Sequence, residues 1–246
     1  MHKGLIAETS VLQGANGEPI LGYSARPLGP GPFPGVVVVH HAPGLDEETM
    51  EQVRKLAHHG FLGICPNLYS DALPPIDLSD SDSVRRYSRG LSDQKVIGYI
   101  EAACRYLQYD PHSNGKVGTI GFCSGGRYAY LAACKLKMDA VVDCYGGSVV
   151  AGPERLSDLR PVAPIDLTAS LGCPLLGIFG RDDPHVPLNH LEMIEDQLNA
   201  HGKRFEFKIY ENAGHAFLGH QHSSYRVEAS NDAWKRILEF FEAYLV

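Results

Sequence analysis

Three side chains that could together perform nucleophilic catalysis, Cys123, Asp183 and His215, each follow a short apolar segment of the 246-residue sequence. A thiol attacks a carbonyl carbon once a neighbouring imidazole has taken its proton. A carboxylate beside that imidazole holds its tautomer and stabilises its cation. The order of nucleophile, acid and histidine along the chain is one that hydrolases use. The sequence therefore predicts covalent hydrolysis through a cysteine.

The residues around Cys123 have the pattern of a sharp turn between a strand and a helix. Lys116–Ile120 predicts the strand, Arg127–Lys137 predicts the helix, and Gly121 and Gly125 flank the cysteine. Small neighbours are needed because the residue at the apex of such a turn has a strained backbone. The start of the following helix also favours a thiolate and a developing oxyanion.

Two other interpretations of this turn stay open at the level of sequence. Ser124 is a weaker nucleophile candidate, because its own register places the bulky Phe122 where a small residue is required. Alternatively, Cys123 is a buried, unreactive thiol and the glycines form only a tight connection between strand and helix.

The acid and the histidine lie in loops that follow later strands. Asp182 competes with Asp183 for the role of the acid, but Pro187 favours Asp183, because a helix that starts at Pro187 leaves Asp183 in the loop. His215 follows a strand that ends at Tyr210. Taken singly, Asp183 could be a turn residue and His215 a solvent-facing side chain. Their occurrence after separate strands, in the right order, favours a shared site.

The predicted elements alternate between strands and helices after a leading hairpin. The predicted strands are 4–12, 19–26, 36–39, 61–65, 116–120, 140–144, 175–179 and 205–210. Polar or Pro-rich segments at 67–91 and 145–172 predict two long loops. Residues 67–91 and 146–172 of these loops could form a lid. Asn231 is predicted to cap the last helix. This order predicts a single α/β domain over residues 1–246, with one mostly parallel sheet and helices on both faces.

Composition narrows the classes of partner. The formal charge of −7 without a basic cluster argues against nucleic acid and against an anionic membrane surface. The six cysteines have neither disulfide-framework nor paired zinc spacing, and no apolar signal segment is evident, so a cytoplasmic protein is expected. We expect a monomer or homodimer that acts on a small molecule.

Four segments together resemble the dienelactone hydrolase family, the cysteine branch of the α/β-hydrolases. They are Cys65–Tyr69, Ser113–Gly126, Gly180–Pro187 and Tyr210–Phe217. The resemblance implies an α/β-hydrolase fold and hydrolysis of esters or lactones, with Cys123 as nucleophile, Asp183 as acid and His215 as base. It also implies an oxyanion hole formed by the backbone N–H groups of Ser124 and Ala42.

The sequence departs from the family pattern at positions that bear on the substrate. The family places a glutamate that helps to generate the thiolate where this chain has His41, preceded by His40. A histidine there could modulate the thiol, or both histidines could only pack the loop. Of the family's two carboxylate-binding arginines, one maps to Arg85 or Arg86 and the other to Gly219. A neutral ester or lactone is therefore as plausible a substrate as a carboxylated one.

No cofactor and no metal are expected. His215, His220 and His222, with His185, have no standard ligand spacing, and no carboxylate or cysteine completes the set. Within enzymes, thioesters or activated phosphotriesters are alternative substrates. Outside enzymes, the chain could be a binding or redox-sensing protein with a reactive thiol, although such a protein has no need of Asp183 and His215.

Overall fold

A computed structural model of the chain describes residues 4–246 and contains one eight-stranded sheet. The strands are β1 (Leu5–Gln13), β2 (Pro19–Pro27), β3 (Phe33–Val39), β4 (Leu62–Pro66), β5 (Ser113–Phe122), β6 (Ala140–Cys144), β7 (Leu175–Gly180) and β8 (Phe205–Tyr210). The helices are α1 (Glu47–His58), α2 (Ser81–Gly90), α3 (Asp93–Gln108), α4 (Ser124–Lys135), α5 (Leu188–Ala200) and α6 (Val227–Leu245).

The sheet has the order β1-β2-β4-β3-β5-β6-β7-β8. The leading hairpin β1-β2 is antiparallel and pairs antiparallel with β4, while all pairs from β4 through β8 are parallel. The predicted α/β architecture with a leading antiparallel hairpin is therefore confirmed. β8 lies at the sheet edge, as its alternating pattern predicts.

The central strand β3 explains how the sheet is covered on both faces. Its four consecutive valines, Val36 to Val39, are fully buried. Alternate side chains of a strand point to opposite faces. Val37 and Val39 pack in one core with residues of α3, α4 and α5, whereas Val36 and Val38 pack in a second core with residues of α1 and α6. An unbroken run of β-branched residues is typical of a strand that is buried on both faces of the sheet.

Two local predictions are wrong. The segment 67–91 is not irregular throughout, because it contains helix α2, which Asp80 caps by accepting hydrogen bonds from the backbone N–H groups of Asp82 and Ser83. Only Val84 of this helix is buried, so no apolar stripe marks it in the sequence. The last helix begins at Val227 rather than after Asn231, and its N-cap residue Arg226 makes no side-chain capping bond.

The parallel strands bring the predicted chemical residues to one edge of the sheet. Cys123 directly follows β5, Asp183 follows β7 by three residues, and His215 follows β8 by five. The carboxyl ends of parallel strands meet at the same edge, where ligands of such sheets bind. Within residues 4–246, no helix has the length and apolar character that crossing a membrane requires.

Candidate active site

The backbone at Cys123 is strained in the way the turn pattern predicts. Its φ of 55° and ψ of −119° lie in a region that few residues with a side chain adopt. The flanking glycines are required by close approach. A Cβ atom on Gly121 would lie 1.9 Å from the carbonyl oxygen of Gly125, and one on Gly125 would lie 2.1 Å from that of Val39. The turn therefore presents the thiol at the sheet edge and tolerates no larger neighbour.

Asp183 and His215 form a hydrogen-bonded pair beside this thiol. The Nδ1 atom of His215 lies 2.7 Å from Oδ2 of Asp183, and the other carboxylate oxygen of Asp183 accepts the backbone N–H of His185 at 2.8 Å. Burial acts to lower the pKa of His215, but hydrogen bonds with Asp183 and Cys123 outweigh it and raise the pKa to about 9. The raised pKa favours the protonated imidazole. By contrast, Asp182 is exposed.

Two aromatic rings hold the His215 imidazole from its sides. The ring of Tyr145 lies 5.2 Å away and that of His185 lies 4.7 Å away, both edge to face. Tyr145 is buried. These contacts restrict the rotation of the His215 side chain, so that the ring edge opposite Asp183 stays directed into the cleft that it shares with Cys123.

The loop after β3 carries the backbone N–H of Ala42, and His40 holds that loop in place. The Nε2 atom of His40 accepts the backbone N–H of Leu68 at 3.1 Å, so its proton is on Nδ1, which donates to the carbonyl oxygen of His41 at 2.7 Å. That carbonyl also accepts the N–H of Gly44. Because the peptide group is planar, fixing this oxygen also fixes the direction of the Ala42 N–H.

Burial sets the charge of His40. The side chain is 1% exposed, and this desolvation lowers its pKa to about 4. A neutral ring can both donate and accept, as the two hydrogen bonds of His40 require. His40 thus acts as a neutral support of the loop and does not contribute charge to the site.

Ser124 offers the second N–H group of the predicted oxyanion hole. It is the first residue of α4, so its N–H has no acceptor within the helix. The positive end of the helix macrodipole adds to the attraction for a negative oxygen at this point. Ser124 also lines both cavities at the site.

Those two cavities differ in size and lining. An open cleft of about 500 Å³ contains Cys123 and His215, with His185 and His190 on its wall. A smaller chamber of about 90 Å³ is lined mostly by polar side chains from six segments of the chain, among them His40, Tyr128 and Arg160. We refer to these as the cleft and the chamber. Both are lined by Ser124, Gly147 and Ser148, so they adjoin at the start of α4.

His41 is directed to a partner other than Cys123. Its Nε2 atom lies 2.7 Å from Oδ2 of Asp46, the N-cap residue of α1. Burial acts to raise the pKa of Asp46, but the hydrogen bond from His41 and those of Thr49 lower it to about 2. Among residues 4–246, no hydrogen bond joins His41 to Cys123. The sequence-based role of His41 as a thiol activator stays a prediction.

Neither Arg85 nor Arg86 lines the cleft or the chamber. Both are exposed on α2, where Arg85 lines a third depression together with Ala42 and Ser88, next to the predicted oxyanion hole. At the position of the second family arginine, Gly219 packs so closely that an added Cβ would lie 2.4 Å from a carboxylate oxygen of Glu48. A larger residue there would have to displace that buried side chain.

One group of side chains in the described chain could hold a metal ion. Ligand atoms of His41, Glu48 and His222 lie within 4.8 Å of one another. The Nε2 atom of His222 lies 3.2 Å from Oε2 of Glu48, within the distance of an ion pair. Of the other histidines considered above, His220 lies near Glu51 and His185 packs on His215.

Sequence reasoning missed two side chains of the chamber. Arg160 belongs to the Pro-rich connection between β6 and β7, where no local pattern singles it out. Tyr128 lies on α4 and is buried, as an ordinary core residue of a helix would be. Arg160 is brought to the chamber by tertiary packing, since its Nη2 atom donates to the carbonyl oxygen of Ser88 on α2 at 2.8 Å. Tyr128 reaches it from α4, one helical turn after Ser124.

The sequence and the fold were compared with those of known proteins, and both match one family. The model of the dienelactone hydrolase family matches residues 20–245. A relative from Bradyrhizobium sp., assigned as a 2-oxo-3-(5-oxofuran-2-ylidene)propanoate lactonase, is 33% identical over 94% of this chain and 92% of its own length.

Solved structures agree with the match. A crystal structure from Klebsiella pneumoniae, assigned as a dienelactone hydrolase, has a TM-score of 0.89 at 29% identity and covers 98% of this chain and 100% of its own. A dienelactone hydrolase-like promiscuous phosphotriesterase from metagenomic libraries has a TM-score of 0.81 at 23% identity, with 98% and 99% coverage, and so shares the fold. The chain belongs to the dienelactone hydrolase family of α/β-hydrolases.

Proposed function

We propose that the protein hydrolyses carboxylic esters or lactones through an acyl-enzyme on Cys123. The observation that carries this proposal is the hydrogen bond of 2.7 Å between Asp183 and His215 in the cleft that also contains the Cys123 thiol. A redox sensor or a binding protein does not require an imidazole that is oriented beside the thiol at a strained turn. A hydrolase needs both.

The first half-reaction forms a thioester. In the resting site, a Cys123 thiolate pairs with the His215 imidazolium, in keeping with the raised pKa of His215. The thiolate attacks the carbonyl carbon, and the oxyanion is bound by the backbone N–H groups of Ser124 and Ala42. When the intermediate collapses, His215 gives its Nε2 proton to the departing alkoxide, so the leaving group is released as an alcohol.

The second half-reaction returns the enzyme to its starting state. The neutral His215 takes a proton from a water molecule, whose oxygen attacks the thioester carbonyl. Collapse of this second intermediate expels the Cys123 thiolate and leaves His215 protonated. Asp183 keeps the proton of Nδ1 in place throughout, because its carboxylate accepts that N–H.

A lactone fits this scheme as well as an open ester. In a lactone the leaving alkoxide stays tethered to the acyl group, so the product is a single hydroxy acid. The name of the Bradyrhizobium relative, a lactonase acting on a propanoate, supports a lactone among the substrates. Thioesters and phosphotriesters belong in the same substrate screen as alternatives.

The test is a comparison of two neighbouring substitutions on chromogenic esters. Cys123→Ala is expected to abolish turnover and labelling by iodoacetamide at this position. Ser124→Ala is the matched control, because it removes the neighbouring hydroxyl and keeps the backbone N–H, and we expect it to retain activity within about tenfold. Wild-type turnover that persists in Cys123→Ala would refute the proposed nucleophile. Labelling of Cys123 without turnover of any ester would favour a sensor instead.

A further inference from the structure

We propose that the chamber beside Ser124 binds a compact anionic group, such as a carboxylate, on the acyl side of the scissile bond. Arg160 and Tyr128 would be the residues that select it. This inference rests on the proposed ester or lactone hydrolysis and specifies which substrates that site prefers.

The strongest observation is that two polar atoms of the chamber, on side chains that interact with each other, form no hydrogen bond of regular geometry. The hydroxyl of Tyr128 and the Nε atom of Arg160 are buried, and neither forms such a bond within residues 4–246. Tyr128 is only 3% exposed. A buried polar group without a partner costs about 1–3 kcal/mol, so such groups in a native protein call for an explanation. A ligand with acceptor oxygens would satisfy both groups at once.

Both groups act as donors. Arg160 has no acceptor atom on its guanidinium. Burial is the main cause that raises the pKa of Tyr128, so its hydroxyl keeps its proton at neutral pH. The guanidinium of Arg160 is held in orientation by the hydrogen bond from Nη2 to the carbonyl oxygen of Ser88. This contact leaves the Nε–H available on another side of the group.

The charge of the chamber is positive. Two arginines line it, but Arg127 forms a buried two-point ion pair with Asp93, with N–O distances of 2.6 and 3.1 Å. In the described part of the chain, no carboxylate lies within ion-pair distance of Arg160. His40 is neutral, because burial lowers its pKa to about 4. One uncompensated guanidinium in a confined space favours an anion and disfavours a cation.

The volume of the chamber limits the size of that anion. The chamber, at about 90 Å³, has less than a fifth of the volume of the cleft, which is about 500 Å³. This space suits a carboxylate on a short carbon chain. It favours a short acyl chain over a long or bulky aromatic one.

The position of the chamber assigns it to the acyl side of the ester. His215 must reach the departing oxygen in order to protonate it, so the leaving group lies on the His215 side, in the cleft. The chamber adjoins the cleft at Ser124, where the carbonyl oxygen would be bound, and it lacks His215. The remaining substituent of the carbonyl carbon, the acyl chain, is therefore the part directed to Arg160.

The test compares two esters with one leaving group. The p-nitrophenyl hemisuccinate carries a carboxylate at the end of its acyl chain, and p-nitrophenyl levulinate has a neutral acetyl group in its place. After subtraction of the spontaneous rate, we expect kcat/KM of the wild-type protein to be at least tenfold higher for the hemisuccinate. Arg160→Gln is expected to remove most of this preference, and Tyr128→Phe to reduce it by about threefold to tenfold.

Two further variants separate charge from structure. Arg160→Lys keeps the positive charge and is expected to retain part of the preference, which a purely structural role of Arg160 would not predict. Arg85→Gln tests the competing arginine of the sequence-based interpretation, and the preference of this variant for the hemisuccinate should equal that of the wild-type protein if Arg160 binds the carboxylate. A wild-type protein without preference, or a preference lost in Arg85→Gln and kept in Arg160→Gln, would overturn the proposal.

A binding measurement makes the subsite testable without catalysis. Succinate should bind to the Cys123→Ala protein in calorimetry, and the substitution Arg160→Gln in that background should weaken binding by at least tenfold. If neither ester is turned over but succinate binds through Arg160, then the proposed hydrolysis fails while the anion subsite stands. Absence of Arg160-dependent succinate binding, together with equal turnover of the two esters, would refute the subsite alone.

Discussion

Replacing Asp183 by Asn tests whether the hydrogen bond to His215 sets the catalytic state of the imidazole. The two oxygens of Asp183 have different partners. Oδ1 accepts the backbone N–H of His185, and Oδ2 faces Nδ1 of His215. An asparagine has only one acceptor oxygen. Because the backbone N–H of His185 can only donate, it takes that oxygen, and the amide NH₂ then faces His215. The imidazole must accept at Nδ1, so its proton moves to Nε2.

The size of the effect follows from this change of tautomer. With its proton on Nε2, His215 has no lone pair directed to the thiol and cannot act as the base. We expect kcat to fall about 10²–10⁴-fold, the scale of losing a positioned general base. Asp183→Asn also removes the carboxylate that stabilises the imidazolium. The pKa of His215 should therefore fall from about 9 toward its ordinary value near 6.5 or below it.

Two measurements and one control decide this prediction. The pKa of His215 is measured by NMR titration of its ring protons, and kcat is measured on an ester across the pH range. Asp182→Asn is the matched control, because this neighbouring carboxylate is exposed, and we expect wild-type kinetics from it. If Asp183→Asn keeps kcat within about threefold and leaves the His215 pKa near 9, the proposed role of Asp183 is wrong. An equal loss in Asp182→Asn would also refute it.

Three further predictions concern the supports of the site. His40→Ala should lower kcat at least tenfold, because the carbonyl group of His41 in the oxyanion loop is no longer held in place. The same substitution has a pH-dependent effect on stability. The pKa of His40 is lowered from 6.5 to about 4, so between these pH values the folded state binds fewer protons than the unfolded state, and the contribution of His40 to the free energy of unfolding, about 3 kcal/mol, decreases as the pH falls. The stability difference from wild type in urea should therefore shrink from pH 7 to pH 4.5, and a constant difference would contradict a buried neutral ring. Gly125→Ala should destabilise the fold by more than about 3 kcal/mol, because its Cβ would clash with the backbone. The control Gly98→Ala lies on α3, where nothing is within 4 Å of the added Cβ, and it should be neutral or stabilise the fold by about 0.5–1 kcal/mol. Equal melting temperatures of the two variants would refute the steric argument. His41→Gln should leave the pH–rate profile unchanged in shape, because His41 is hydrogen-bonded to Asp46, and a displaced limb would instead support coupling to the thiol.

The strained turn at Cys123 and the mostly parallel sheet with its leading hairpin could be predicted from sequence because their causes are local. The glycines beside Cys123, the valine run of β3 and the loops after β7 and β8 each have a pattern that chain neighbours determine. Side chains after separate parallel strands meet at one edge of the sheet. Cys123 and His215 could therefore be assigned to a common cleft before the structure was known.

Features that depend on contacts between distant segments could not be predicted. Helix α2 buries only Val84, so its sequence resembles that of a polar loop. Arg160 reaches the chamber through its contact with Ser88, far from it in sequence. The partner of His41 is Asp46, five residues along, but the choice between Asp46 and the thiol depends on the path of the loop. The family comparison by itself would have directed attention to Arg85 instead.

The central claim, an acyl-enzyme on Cys123, is tested most directly by locating the acyl group. The protein is mixed with p-nitrophenyl acetate and quenched with acid within the first turnover, and its peptides are then mapped by mass spectrometry. The account predicts one acetyl group per molecule on the Cys123 thiol, formed in step with a burst of p-nitrophenol. An acetyl group on Ser124, or rapid turnover with no acyl adduct on Cys123 at any quench time, would contradict it.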